Sequence, residues 1–498
     1  MYLLGYDSGT SSIKATLLEV DTGRVVASST YPPKEMPIIS NQPGWAEQNP
    51  QDWWSALKNA TKILLDEARI DTADIKAIGI TYQMHGLVCV DKNKNILRPS
   101  IIWCDSRAVP YGEKAKKTIG AKKCMEVMLN HPGNFTAAKL AWVKENEPHI
   151  YDKIDKVMLP GDYLAMKMTD TIITTKSGLS EGIFWDFPNQ QLAQEVMDAF
   201  DFDSGLIPKA ADTFEIHGEL TTTAAEELGL KTGTAVSYRA GDQPNNAFSL
   251  GVLDPGQVAA TAGTSGVVYG ISDKPCYDEK SRVNTFVHVN NTANQHRYGS
   301  LLCINGTGIL NSWLKHNTTA GIDYPAMNEL ASRAPIGSDG LSILPYGNGA
   351  ERTLENKVLG ASVHGLNFNI HSQTHLMRAG QEGIASAFNY GLDIMKAMGL
   401  KVKNIRAGKA NMFLSPIFAK TLATIAGARI ELYNTDGSQG AARGAGIGVG
   451  AYKDPSEAFA GLQKVDEVEP NTKERQRYRD MYDNWLTNLR RADGMADC

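Results

Sequence analysis

The chain has 498 residues, too long for one hydrophobic core, so length alone argues for two or three domains. Charged residues make up 21% and hydrophobic residues 42%, an ordinary globular profile. A net charge of -5 provides no basic field for a nucleic acid or a membrane surface, which excludes both as default partners.

Six cysteines, Cys89, Cys104, Cys124, Cys276, Cys303 and Cys498, are scattered without a Cys-x-x-Cys pair. In a large chain with no secretory leader they read as free thiols of a reducing compartment. Met1-Tyr2-Leu3-Leu4-Gly5-Tyr6-Asp7 runs straight into a strand and lacks a signal-peptide layout. No apolar run has the length of a membrane span. A cytoplasmic location is the expectation.

In chain order, Leu3 to Tyr6 is a short apolar strand that stops at Asp7-Ser8-Gly9-Thr10. Ile13 to Val20 is a second strand, Asp21-Thr22-Gly23 a turn, and Arg24 to Thr30 a third strand. Asn49 caps a helix with Pro50 in its first turn, and Trp53, Trp54, Leu57, Ile63 and Leu64 suit a face packed on a sheet. Ile75 to Tyr82 is the next strand. Val88 to Asp91 and Ile96 to Trp103 predict a hairpin around Lys92-Asn93-Lys94-Asn95.

Mid-chain the pattern restarts. Gln257 to Thr261 reads as a strand, Ala262-Gly263-Thr264-Ser265-Gly266 as a turn, and Val267 to Ile271 as a strand. This repeats the layout of Asp7 to Leu18 and places a boundary near Asp254-Pro255-Gly256. The expected units are 1–252 and 253–498. Further on, Ser372 or Thr374 caps a long helix that stops at Gly399. Gly437 to Gly450 is crowded with Gly and Ala and reads as a helix packed very close to its neighbour, with no dinucleotide or P-loop fingerprint. His371 and His375 are four apart but have no third ligand, so a metal role is outweighed.

Four segments carry candidate chemistry. In Asp7-Ser8-Gly9-Thr10-Ser11-Ser12-Ile13-Lys14, a tight turn offers N–H groups and hydroxyls to phosphate oxygens, and Asp7 is placed to hold magnesium through water. Alone it reads equally well as a plain hairpin turn. The Gly263-Thr264-Ser265 turn is its partner, and two such turns facing each other would clamp a nucleotide's phosphates from both sides. Ala240-Gly241-Asp242-Gln243-Pro244 lies just before the boundary; Asp242 there is either a helix cap or a base that takes a hydroxyl proton as an alcohol attacks phosphorus. Gln83-Met84-His85-Gly86 ends a buried strand, and Trp103-Cys104-Asp105-Ser106-Arg107 ends another; both read as sugar-pocket walls or as structural turns.

These elements, in this order and over nearly the whole chain, resemble the FGGY carbohydrate kinase family. A narrower match rests on Gln83-Met84-His85-Gly86, Trp45-Ala46-Glu47-Gln48-Asn49-Pro50, Asn134 to Leu140 and Leu159 to Leu164, and implies a ketopentose acceptor. The resemblance implies an α/β fold of two actin-like, ribonuclease H-like ATPase domains flanking a cleft. It implies ATP and Mg2+, with the sugar and base in the first unit and the nucleotide in the second. Asp242 matches the catalytic base, Asp7 the magnesium aspartate, and Met84 and His85 the sugar contacts, with Gln243 and Asp105 beside them. Thr10, Ser11, Lys14, Gly263, Thr264 and Ser265 match the phosphate loops, and Gly408, Lys409 and Asn411 the adenosine loop. Gly347 to Thr353 resembles the family's Gly-Glu-Arg-Thr segment. Departures are Arg239 before the base, Pro244 after it, Lys409 in the adenosine loop, and Gly380 and Gln381 in the second signature. The resemblance admits a homodimer. Rival readings are a kinase of another sugar or polyol, an actin-like or chaperone-like ATPase, and an inactive sugar sensor.

Overall fold

The computed structural model describes residues 1–319 and 321–494. Two sheets organise it. The first has six strands in the order Gly218–Glu219, Ala235–Gly241, Ile75–Tyr82, Tyr2–Ser8, Ile13–Glu19 and Val25–Tyr31. The second has seven, in the order Asn284–Val287, Tyr298–Ile304, Gly266–Ser272, Gln257–Ala262, Asn404–Gly408, Arg429–Tyr433 and Lys464–Val468. Each sheet has three consecutive parallel strands flanked by antiparallel ones: Tyr2–Ser8, Ile75–Tyr82 and Ala235–Gly241 in the first, Gln257–Ala262, Asn404–Gly408 and Arg429–Tyr433 in the second. The weak repeat in the letters is therefore an equivalence of topology.

Local signals explain the elements. Asn49 caps the helix Pro50–Ala68 by accepting from the Gln51 N–H, and Trp53, Trp54 and Leu57 bury its inner face. Ser372 precedes the 25-residue helix Gln373–Ala397, and Gly399 follows with φ 96°. Pro244 falls in the first turn of the helix Asp242–Ser249, where its missing N–H costs nothing.

The hairpin expected over residues 88–103 forms as a narrow ribbon: Val90 bridges Ile96, the Leu97 N–H donates to the Cys89 carbonyl at 3.0 Å, and the Leu87 N–H donates to the Ile101 carbonyl at 3.0 Å. Its turn is closed by the Asp91 N–H donating to the Asn95 carbonyl at 3.0 Å. In addition Val88–Val90 pairs with Lys156–Met158, and Ser100–Ile101 with Glu47–Gln48. Buried partners from distant segments support a local two-stranded ribbon that alone would bury little.

Two helices join the halves. Gly437–Gly448 follows a strand of the second sheet yet lies on the first. A Cβ on Gly5 would meet the Ser438 carbonyl at 1.9 Å, and one on Gly79 the Ala441 carbonyl at 1.9 Å. Bare glycines on the sheet thus permit backbone-to-backbone packing of the Gly/Ala-rich helix, as its composition predicts. Asp242–Ser249 follows a strand of the first sheet, and the chain at its end is held by Arg406 of the second, whose guanidinium donates to the Leu250 and Gly251 carbonyls at 3.2 and 2.9 Å. The two helices touch where Asn245 donates to the Gly437 carbonyl at 2.9 Å. Among the described residues no helix is long and apolar enough to cross a membrane.

Candidate active site

Strand register assembles the site. Ser8 pairs with Tyr82, and Tyr82 with Gly241, so three parallel strands end side by side. The residues that follow them, the Gly9–Ser12 turn, Gln83-Met84-His85 and Asp242, therefore emerge at one edge, the usual place for a ligand in such a sheet. The turn is tight, with the Gly9 N–H donating to the Ser12 carbonyl at 3.1 Å. Thr10 is tied to the neighbouring strand end: its hydroxyl donates to Gln83 Oε1 at 3.1 Å and accepts from Trp103 Nε1 at 2.9 Å. Ser11 is exposed.

Acidic groups crowd this edge. Burial, then the charges of Asp242 and Asp436, push Asp7 up to about 7, against the pull of Lys14. Burial pushes Asp242 up to about 6, opposed by hydrogen bonds from Gln243 and its own N–H. Burial also works against the Asp436 carboxylate, but the bond and charge of Lys14 hold it below the usual range. Lys14 is thus paired across the two halves with Asp436.

His85 forms the other wall, at φ 63°, a conformation that non-glycine residues adopt mainly where surroundings enforce it. Its N–H donates to Glu181 Oε1 at 3.2 Å, its Nδ1 lies 3.1 Å from the Glu181 carbonyl, and its own carbonyl accepts from Lys139 Nζ at 2.7 Å. Burial, then the Lys139 charge, lowers its pKa to about 3, so the ring is neutral. A proton on Nδ1, directed at the Glu181 carbonyl, leaves Nε2 an acceptor for a hydroxyl. The ring packs against Phe135 at 4.8 Å and against Phe286, from the second half, at 5.6 Å.

On the second half, the Gly263-Thr264-Ser265 turn opens onto a cavity of about 400 Å³. Gly263, Thr264, Gly308, Asn328, Asn411 and Met412 are among its lining residues. The turn is pinned by the Gly308 N–H donating to the Gly263 carbonyl at 2.9 Å and the Ile309 N–H to the Thr264 carbonyl at 3.1 Å. The adenosine-loop candidate Asn411 thus shares a cavity with Gly263 and Thr264 of the phosphate turn, while Ser265 is not among its lining residues. Cys303, on the strand beside that turn, is close enough for the Asp242 charge to act on its thiol, which brings the second half to the base.

Residues 2–249 match the N-terminal domain of the FGGY family of carbohydrate kinases, and residues 258–451 match its C-terminal domain. The chain belongs to the FGGY family of carbohydrate kinases. It is a sugar kinase with the family's two-domain α/β fold. A xylulose kinase of Escherichia coli (strain K12) is 31% identical over 447 residues, 89% of this chain and 88% of that one. The solved structure of a "xyloylose kinase" from Brucella ovis superposes with a TM-score of 0.90 at 25% identity, covering all of both chains. A gluconate kinase from Lactobacillus acidophilus superposes with a TM-score of 0.88 at 24% identity over 99% of this chain and 98% of that one, a likeness of fold.

Several candidates are engaged by other protein groups or lie outside the cavity. Asp105 is fully buried, with its carboxylate occupied by the Ala46 N–H at 2.6 Å and by the Arg107 guanidinium and N–H, so no oxygen is left for a sugar. Lys409 reaches Asp466 at 3.0 Å on the outside of the second sheet, and neither Gly408 nor Lys409 is among the cavity residues. Arg239 points beneath the Pro160–Thr169 helix, 3.6 Å from Asp162, and donates to the Ile173 carbonyl at 3.1 Å; this departure is structural. The His371 and His375 rings both face Asp339, and among the described residues no group of three or more His, Cys, Asp or Glu side chains is arranged to hold a metal. Among the described cysteines, Cys89, Cys104, Cys124, Cys276 and Cys303 are free; Cys498 lies outside the described residues.

Asp436, Lys139 and Glu181 were not assigned from sequence. Lys139 is fully buried, and burial lowers its pKa to about 7. Glu181 is also buried, and burial lifts its carboxyl well above the usual range, a rise that Asp242 and Asp162 add to. Lys139 lies inside the Asn134–Leu140 segment already singled out; nothing in the spacing around Glu181 marks it.

Proposed function

We propose that this sugar kinase phosphorylates D-xylulose from ATP to give D-xylulose 5-phosphate, with Asp242 as general base. The observation that carries the reading is the common edge formed by Ser8, Tyr82 and Gly241, which puts the base beside the Met84-His85 turn and the Asp7 turn. The xylulose kinases among its relatives support the choice of sugar. In this reading the acceptor rests against Met84 and His85, with Nε2 of His85 and Gln243 receiving its hydroxyls. Asp242, poised near neutrality, removes the proton of the attacking hydroxyl; the new O–P bond forms as the bond from the γ-phosphorus to ADP breaks. Closure of the halves excludes water that would otherwise hydrolyse ATP.

ATP lies between the Gly9–Ser12 turn and the Gly263–Ser265 turn, its adenosine toward Asn411 in the second-half cavity. Mg2+ fits the donors of the first turn: a single carboxylate, Asp7, crowded by two other acids, suits a cation held otherwise by water and phosphate oxygens. When bound, the ion neutralises charge on the transferring phosphoryl group. The two units are 1–252, for acceptor and base, and 253–498, for nucleotide. The deciding experiment measures ADP release over a panel of ketoses, aldoses and polyols. Stimulation greatest with D-xylulose supports the reading, and preference for gluconate, glycerol or another sugar replaces it.

A further inference from the structure

We infer that Glu181 is a positioning residue for the acceptor sugar, a buried acid that fixes the Met84-His85 wall against the strand end bearing Asp242. This deepens the proposed function and rests on it. Glu181 closes the short helix Lys176–Glu181. One carboxyl oxygen, Oε1, receives the His85 N–H, and the residue's carbonyl receives the His85 ring, so main chain and imidazole are set by one residue. The other oxygen, Oε2, is buried and has no protein partner. It lies against the backbone of Gly241, where an added Cβ would stand 2.5 Å from it and 2.5 Å from Met84 Cγ. The carboxyl is thus wedged between the turn that carries the sugar contacts and the residue before the base.

The same helix is bound to the second half. The Ser177 hydroxyl donates to the Val287 carbonyl at 2.8 Å, and the Val287 N–H donates to the Ser180 hydroxyl at 2.9 Å. Through these bonds the position of Glu181 follows the second sheet's edge strand, so movement between the halves is transmitted to His85.

Charge decides the protonation state. Asp242, Asp162, Tyr82 and Tyr269 surround Glu181 with acidic groups, and the Lys139 charge opposes them. Burying a carboxylate with an unsatisfied oxygen beside Asp242 is costly, so the proton stays on Glu181 and ionisation falls to Asp242. Two neighbouring carboxyls thereby hold different states, one to support and one to react.

The test uses the full-length protein with three variants, Glu181→Gln, Glu181→Met and Glu181→Ala, assayed with Mg-ATP and the best acceptor of the panel. Glu181→Gln keeps the acceptor for the His85 N–H and should stay within about threefold of wild type in acceptor KM and kcat. Glu181→Met keeps volume without the bond, and should raise acceptor KM on the order of tenfold with KM for ATP unchanged. Glu181→Ala should do at least as much; if it fails to fold, the Met variant carries the comparison. An unchanged acceptor KM in Glu181→Met overturns the inference, as does a Gln variant as impaired as the Met variant, which would mean that charge is required. A wild-type protein that no sugar stimulates removes the proposed function itself, and the inference with it.

Discussion

Replacing Asp242 by Asn should cost activity and raise stability together, with both effects arising from one half-buried carboxyl. Burial moves its pKa from 3.8 to about 6. A folded-state pKa above the unfolded one means that the native protein binds the proton more tightly. Stability is therefore greatest below the unfolded value and is lost as pH rises through about 6. The shift is about two pH units, and at ~1.4 kcal/mol each the ionised side chain costs the fold about 3 kcal/mol at pH 8. Asn has nearly the same shape and carries no charge, so Asp242→Asn should melt roughly 3–6 °C higher at pH 8, with the gain vanishing toward pH 4. The same variant lacks a base, and turnover should fall on the order of a hundredfold or more. Thermal melts at several pH values and ADP release at saturating substrates read the two effects. Near-normal turnover would end the assignment of the base. A melting temperature unchanged at pH 8 would refute the argument from burial.

In the wild-type protein, kcat/KM for the acceptor should decline below about pH 6, where Asp242 takes up a proton. Gly263→Val should raise KM for ATP severalfold and leave the fold intact. Its Cβ would meet protein atoms only at 3.7 and 3.8 Å, so the added bulk falls in the cavity; an unchanged KM for ATP would detach that cavity from the nucleotide. Gly79→Ala should lower the melting temperature and yield less soluble protein, since its methyl would stand 1.9 Å from the Ala441 carbonyl and push the helix Gly437–Gly448 off the sheet at a cost of at least ~1–3 kcal/mol. Lys409→Ala should change neither KM for ATP nor stability by more than ~1 kcal/mol, because it removes one exposed ion pair with Asp466.

The parts of this site that can be read from the letters are those fixed by short-range backbone chemistry. A strand that stops at Asp-Ser-Gly-Thr or Ala-Gly-Asp declares its end locally, and parallel register then aligns Ser8, Tyr82 and Gly241. The Gly/Ala run at 437–450 likewise announces a close helix, though not that it lies on the other half's sheet. Glu181 could not be found this way. It ends a six-residue helix with no motif around it, and its position depends on His85, Gly241 and Val287 arriving from three distant segments. Asp105 shows the opposite failure: an acid at a strand end near the pocket, with the right local appearance, was claimed by Arg107 and Ala46. The hairpin around Lys92 to Asn95 was legible locally, but the pairing of Val88–Val90 with Lys156–Met158 was out of reach of any local reading.

Convergence of Asp7, Asp242 and Asp436 is costly to the fold and follows from how the halves are joined. Asp436 caps the helix Gly437–Gly448, accepting from the Gln439 N–H at 3.0 Å, and that helix crosses from the second sheet to the first. The crossing therefore carries an acid from the second half to within reach of the first turn. Lys14 offsets part of the repulsion, and both it and Asp436 remain about a third exposed, so their pairing can be exchanged without opening the core. If Lys14 swings from Asp436 to a phosphate, the acid so freed needs a new positive partner. A polyphosphate that brings its own divalent cation supplies both replacements at once, whereas either alone leaves one charge unmatched. On this argument Lys14→Met should weaken binding of the cation–nucleotide complex and have less effect on the nucleotide without its cation, a difference that titration of ATP with and without Mg2+ would measure. Equal losses in the two titrations would mean that Lys14 acts on the phosphate alone and that Asp436 takes no part in the exchange.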